Sequence, residues 1–120
     1  MASQTVSLLV ELTIPAGNVD MFNSIAQQMV AGTQTEPGAL AYEWYVSSDG
    51  QRCRLLETYR DAAALLVHFK GPVVQQLVPK LAEQVKIDRF EIYGDPGAEV
   101  AAMVTGFGTE IFAHRYGLDR

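Results

Sequence analysis

Residues 6–14 alternate in polarity: Val6, Leu8, Val10, Leu12 and Ile14 fall on one face, and Ser7, Leu9, Glu11 and Thr13 on the other. A period of two predicts a strand, which Pro15-Ala16-Gly17 ends. The pattern then changes to helical spacing. Phe22, Ile25, Ala26, Met29 and Val30 form one stripe, with Asn18 placed to cap it. Residues 40–46 predict a second strand, and Arg52 to Tyr59 a third. A two-residue turn at Asp49-Gly50 would pair Tyr42 with Glu57, Trp44 with Leu55 and Val46 with Cys53. One face of that hairpin would carry Leu40, Tyr42, Trp44, Val46, Cys53, Leu55, Glu57 and Tyr59. A bulge would shift the pairing and set Glu57 opposite Glu43.

Asp61 is a good N-cap for a helix over 62–70 that turns Leu65, Leu66 and Phe69 inward. Gly71-Pro72 stops it and opens another, with Val73, Val74, Leu77, Leu81 and Val85 as its stripe. Pro79 lies inside that stripe, so two short helical pieces are expected. A fourth strand covers 87–93. The tail predicts a short helix over 98–105, a break at Gly106-Phe107-Gly108 and a fifth strand over 109–116. No linker or repeat interrupts the order, so 1–120 is expected to be one domain, with a core over 6–93 and an α-β extension over 94–120.

The order β-α-β-β-α-β defines the ferredoxin-like class of α+β folds, a four-stranded antiparallel sheet with helices on one face. Leu9, Ala41 and Tyr45 fall on the opposite face. A second copy of the chain is the simplest cover for it, which predicts a homodimer.

Composition narrows the class of function. Hydrophobic residues make up 48% and charged residues 19%, enough for a packed core. Acidic residues exceed basic ones, 14 to 9, and the first Lys or Arg is Arg52. That balance argues against nucleic acid as a partner. It also predicts neither a secretory nor a transit leader. With no apolar run long enough for a membrane span and a single thiol, Cys53, the expected compartment is the cytoplasm. Cys53 reads as a small hydrophobe of a strand. His68 and His114 have no ligand-spaced partners, so no metal site is expected, and the common nucleotide and hydrolase loops are missing. What remains is an aromatic set, Phe22, Tyr42, Trp44, Tyr59 and Phe69, with two titratable groups near it. His68 points to the edge of the apolar face of its helix. Glu57 sits on the aromatic face of its strand. Each could be a base or a structurally satisfied group.

Glu36-Pro37-Gly38-Ala39-Leu40-Ala41-Tyr42-Glu43-Trp44-Tyr45 resembles the E-P-G-x-x-x-Y-E-x-Y pattern of the antibiotic biosynthesis monooxygenase (ABM) family. The segment from Leu55 to Leu65 is similar to that family's strand-into-helix signature, and His68 falls on its A-x-x-x-H histidine. The resemblance runs over 6–93. It implies a dimeric α+β barrel in which each subunit keeps a pocket between sheet and helices. It further implies a monooxygenase that uses O2 as co-substrate, without metal or flavin, on a small aromatic, quinol or polyketide-like molecule. His68 would be the base and Glu57 the second choice, with Phe22, Tyr42, Trp44, Tyr59 and Phe69 contacting the ring. The haem-degrading members carry an asparagine on the first strand, and a tryptophan and an axial histidine further on. Val10, His68 and a residue near Val78 stand there, so haem is not expected. The alternatives are a non-catalytic dimer that holds a small hydrophobic ligand, and an isomerase or lyase on the same barrel.

Overall fold

The computed structural model describes residues 4–118. Its central sheet has the order β2-β3-β1-β4-β5. The strands are β1 (Val6–Thr13), β2 (Ala39–Val46), β3 (Arg52–Tyr59), β4 (Lys86–Tyr93) and β5 (Glu110–Phe112). The first four pair antiparallel, as the ferredoxin-like order requires, while β5 joins the β4 edge in parallel. The helices are α1 (Val19–Thr33), α2 (Ala62–Lys70), α3 (Val78–Gln84) and α4 (Ala98–Val104). None is long and apolar enough to cross a membrane.

Alternation in β1 does what its pattern predicts. Val6, Leu8, Val10 and Leu12 are buried beneath the helices, and Ser7, Leu9 and Glu11 are only partly covered on the other face. The core forms two clusters. Phe22, Ile25 and Met29 of α1 pack on Val10, Leu12 and Leu55, while Leu65 and Phe69 of α2 pack with Val6, Leu8 and Ile92. Val100 and Val104 of α4 join the second cluster, so the extension is docked on the body of the protein.

α2 has the expected limits for the expected reasons. The Asp61 carboxylate accepts a hydrogen bond from the Ala64 amide at 2.8 Å, and Gly71 closes the other end on the His68 carbonyl. Beyond Pro72 a π-helical turn, Val73–Leu77, precedes α3, and Pro79 stands in the first turn of α3. A proline has no amide to donate, so it fits a helix start and breaks the stripe in two.

Several expectations change. Asn18 does not cap α1 with its side chain; it donates instead to the Gln84 carbonyl at 3.0 Å, tying the start of α1 to the end of α3. Val30 is 41% exposed, and Thr33 takes the last inward position of α1. The β2–β3 connection is a five-residue loop, 47–51, rather than a two-residue turn. Gly50, at φ +77°, donates to the Ser47 carbonyl, and Asp49 accepts from Ser47 and Gln51. The strand register is nevertheless the expected one: Tyr42 faces Glu57, Trp44 faces Leu55 and Val46 faces Cys53. A bulge does occur, but at Leu40, beyond the Tyr42–Glu57 pair. It turns Leu40 out to 58% exposure and sets Ala39 opposite Tyr59. The fifth strand is three residues long, not eight, because its alternation continues past the point where β4 offers partners.

The Glu36-Pro37-Gly38 loop lies directly on α2. The Arg60 amide donates to the Gly38 carbonyl at 2.9 Å, and a methyl at Gly38 would collide with the Ala64 side chain. Gly38→Ala should therefore cost about 1–3 kcal/mol by overpacking. Gly17→Ala, where nothing lies within 4 Å of the added carbon, is the matched control. Equilibrium denaturation of the two variants checks this, and equal stability would refute the close approach.

Candidate active site

Three acidic or basic side chains from three elements meet under the helices. Glu57 comes from β3, where its neighbours across the sheet are Leu8 and Tyr42. The inward face of a central strand is an expensive place for a carboxylate, and Glu57 is 5% exposed. His68 comes from the last turn of α2 and is 3% exposed. Glu36 comes from the loop between α1 and β2, held over α2 by the Gly38 approach described above.

The Glu36 carboxylate accepts a hydrogen bond of 2.8 Å from His68 Nδ1. A carboxylate only accepts, so the imidazole proton resides on Nδ1 and Nε2 keeps a free lone pair. Nε2 faces Glu57 Oε1 at 3.8 Å, too far for a hydrogen bond. That same Oε1 accepts from the Tyr59 hydroxyl at 2.5 Å. Tyr42 and Tyr59 pack on the imidazole, with ring centroids at 5.6 and 5.1 Å.

Burial governs the proton affinities. It pushes Glu57 up to about 7, with a smaller upward push from the Glu36 charge, while the Tyr59 hydrogen bond works the other way. Burial also pulls His68 below the usual histidine range, opposed by the charge and hydrogen bond of Glu36. The Tyr42 and Tyr59 hydroxyls are held well above the usual tyrosine range, first by burial and then by the Glu57 charge. Near neutrality the site therefore holds a neutral imidazole and a carboxyl group that is half ionised.

His68 and Glu57 open onto a cavity of about 80 Å³ between sheet and helices. One water needs roughly 10–15 Å³ of such space, so several waters or a small ring fit. Tyr42 and Phe69 also line it. The remaining wall is aliphatic and aromatic, including Leu12, Met29, Leu81 and Ile87. No Lys or Arg is among the described lining residues. Tyr59 stands behind Glu57 rather than on the cavity wall. Phe22 and Trp44 pack together at 5.9 Å along a separate outer groove between α1 and β2. Glu36, which fixes the imidazole, enters the sequence reading only as the first residue of the Glu-Pro-Gly motif, without a chemical role. Its Glu-Pro-Gly context reads as loop punctuation, and its partner is far along the chain. The described residues hold no group of three or more His, Cys, Asp and Glu that could hold a metal ion.

The sequence profile of the antibiotic biosynthesis monooxygenase family matches residues 5–80. The chain belongs to this family. Among solved structures, MupZ from Pseudomonas fluorescens superposes with a TM-score of 0.83 at 20% identity, covering 98% of this chain and 96% of that one. Its match therefore runs through the α4–β5 extension. SnoaB, a cofactor-independent oxygenase from Streptomyces nogalater, matches with a TM-score of 0.68 at 13% identity over 80% of this chain and 97% of its own. Rv0793 from Mycobacterium tuberculosis gives 0.68 at 20% identity over 78% and 97%. At these identities the neighbours share the ABM fold. No curated protein matches the chain.

A carboxyl group with a folded-state pKa of about 7 against an ordinary 4.5 binds its proton more tightly in the native protein. Its stabilising contribution is complete below 4.5 and is lost as pH rises through 7. His68, shifted downward, changes stability in the opposite sense, so a difference measurement is needed. Glu57→Gln should gain on the parent by roughly 2–4 kcal/mol between pH 4.5 and 7.5. Urea unfolding of both proteins across that range measures it, and a constant difference would rule out the shifted carboxyl.

Proposed function

We propose that this ABM-family protein is a cofactor-independent monooxygenase acting with O2 on a small, neutral aromatic bearing an acidic hydroxyl. One observation carries the reading: a carboxylate–imidazole–carboxyl line ends an otherwise apolar cavity. An apolar cavity without cations favours an uncharged ring over an anionic one. A hydroxyl at its polar end meets the free lone pair of His68 Nε2, with Glu57 beside it. The SnoaB likeness supports oxygenation without a cofactor.

In this mechanism His68 takes the hydroxyl proton, and the imidazolium that forms lies between Glu36 at 2.8 Å and Glu57 at 3.8 Å. Two flanking carboxylates favour the charged form, so the base is stronger when it acts than its resting burial implies. The substrate anion, poorly solvated in its apolar surroundings, passes one electron to O2. The radicals combine in a C–O bond to give a peroxide. Loss of the remaining hydrogen on that carbon and cleavage of the O–O bond leave a carbonyl and water. One oxygen atom enters the substrate and the other leaves as water, with CH2 becoming C=O. Tyr42 and Phe69 are the ring contacts on the cavity wall, and Tyr59 is a positioning residue that holds Glu57. Phe22 and Trp44 line the separate outer groove between α1 and β2, on the same side of the sheet.

The open face of the sheet supports a homodimer. Tyr45, Leu56, Tyr93 and Phe112 are all exposed there by 38% or more, with Leu9 between them. The Arg54–Glu11–Arg89–Glu91 chain of ion pairs adds polar groups of both signs. Leu56→Asp at the centre of this face should convert a dimer to a monomer in sedimentation velocity; an unchanged mass would place the interface elsewhere.

A second reading has its own support. An acid and a base side by side at one end of a cavity suit an isomerase or lyase that only moves protons. O2 uptake by metal-stripped protein over a panel of anthrones, naphthols and hydroquinones separates the two. Uptake lowered about 10²-fold or more by His68→Ala, with the dimer intact, supports the oxygenase and its base. Turnover of the same substrates without O2 supports the proton-transfer enzyme. Ligand retention with no turnover in either atmosphere would leave a binding protein.

A further inference from the structure

Among the described residues that line the cavity, Phe107 is the only exposed one, at 55%. It is also the only one contributed from beyond β4. A side chain that touches the cavity and also faces solvent stands at its mouth. Phe107 ends a 3-10 turn, Thr105–Phe107, that contains no buried residue. Immediately before this turn, Val100 and Val104 of α4 are 0% and 1% exposed and anchored in the core. The ring of Phe107 meets Phe90, on the cavity wall, at 6.3 Å between centroids. Glycines flank it: nothing lies within 4 Å of a carbon added at Gly106 or Gly108, and Gly108 has φ +66°. A bulky ring between two unencumbered glycines, on a turn held by α4 before it and by the β4–β5 pairing after it, can change rotamer without disturbing the core.

We propose that Phe107 is the gate of this cavity and its specificity-determining residue, restricting entry to small, flat, neutral aromatics. The proposal rests on the reading of the cavity as the substrate site. It gives the extension a definite part in that site, since the family profile ends at residue 80 and the gate lies beyond it. The proton-handling groups Glu36, Glu57 and His68 stand at the inner, polar end. Phe107 instead discriminates at the outer end, by size and by ring contact with Phe90.

The test is fluorescence titration, under nitrogen, with two neutral phenols: 2-naphthol, of two rings, and 1-hydroxypyrene, of four. The parent should bind 2-naphthol the more tightly. Phe107→Ala should shift the affinity ratio toward 1-hydroxypyrene by about three- to tenfold, the factor that loss of one aromatic contact and its bulk implies. Phe107→Tyr should keep the parent ratio, and Met103→Ala, on α4 away from the cavity lining, should do the same. An unchanged ratio in Phe107→Ala, an equal shift in Met103→Ala, or failure of the parent to bind either phenol would overturn the gate. O2 uptake separates this outcome from failure of the oxygenase reading. A shifted ratio with no uptake removes the oxygenase and leaves the gate; uptake with a ratio indifferent to Phe107 does the reverse.

Discussion

A carboxyl group on the inner face of a central strand is several kcal/mol out of place unless its charge is removed or matched. Glu57 meets that demand in two ways. Its proton affinity rises until it is half neutral near pH 7, and its Oε1 receives the Tyr59 hydroxyl. The surroundings follow from this requirement. Tyr59 is buried to 0% so that its hydroxyl can reach two residues back along the strand. His68 approaches from α2 as a neutral ring, with its lone pair toward Glu57. Glu36 must then hold the other nitrogen, and the close packing of Gly38 on α2 brings that loop within reach. The sheet supplies one member of the line, α2 the second and the α1–β2 loop lying on α2 the third. Coherence of the site therefore depends on the contact between the layers.

Much of the fold is legible from local chemistry. Asp61 and Gly71-Pro72 bound α2 because a capping carboxylate and a missing amide act over a few residues. Pro79 divides the next helix for the same reason. The hairpin register also follows from sequence, although the loop that sets it differs in detail. Less legible are features decided by what lies across the gap. Leu40 continues an alternating run, and nothing in that run marks it as the bulge that the pairing with β3 reveals. The run after Gly108 keeps a strand period through Tyr116, but strand structure needs a neighbour, and β4 supplies one for three residues only. Asn18 has a capping side chain, yet its Nδ2 donates to the Gln84 carbonyl and its oxygen accepts no amide of α1.

The site divides along the same line. His68 and Glu57 stand out in sequence because a polar group on an apolar stripe is conspicuous. Glu36 is inconspicuous because nothing in a loop of Glu-Pro-Gly shows which helix it will face. Aromatic periodicity places Phe22, Trp44, Tyr42 and Phe69 together on the helix side of the sheet. It does not separate a cavity wall from an outer groove, since both lie on that side and differ only in depth. Phe107 belongs to a Gly-Phe-Gly break whose turn position, not its pattern, brings it to the mouth.

The sheet is asymmetric at its margins. One side ends in β5, a three-residue strand followed by irregular chain. The other ends in the full eight-residue β2, whose Leu40, Tyr45 and Val46 are 58%, 57% and 46% exposed. Linear polymerisation by strand addition requires two templating margins per molecule, one to give and one to receive. Among the described residues one margin is the full length of β2, and the other is shared between the short β5 and the stretch 86–90 of β4 that β5 does not pair. β2 is thus the longer templating margin, and the parallel β5 shields only the Glu91–Tyr93 end of the β4 edge from strand addition.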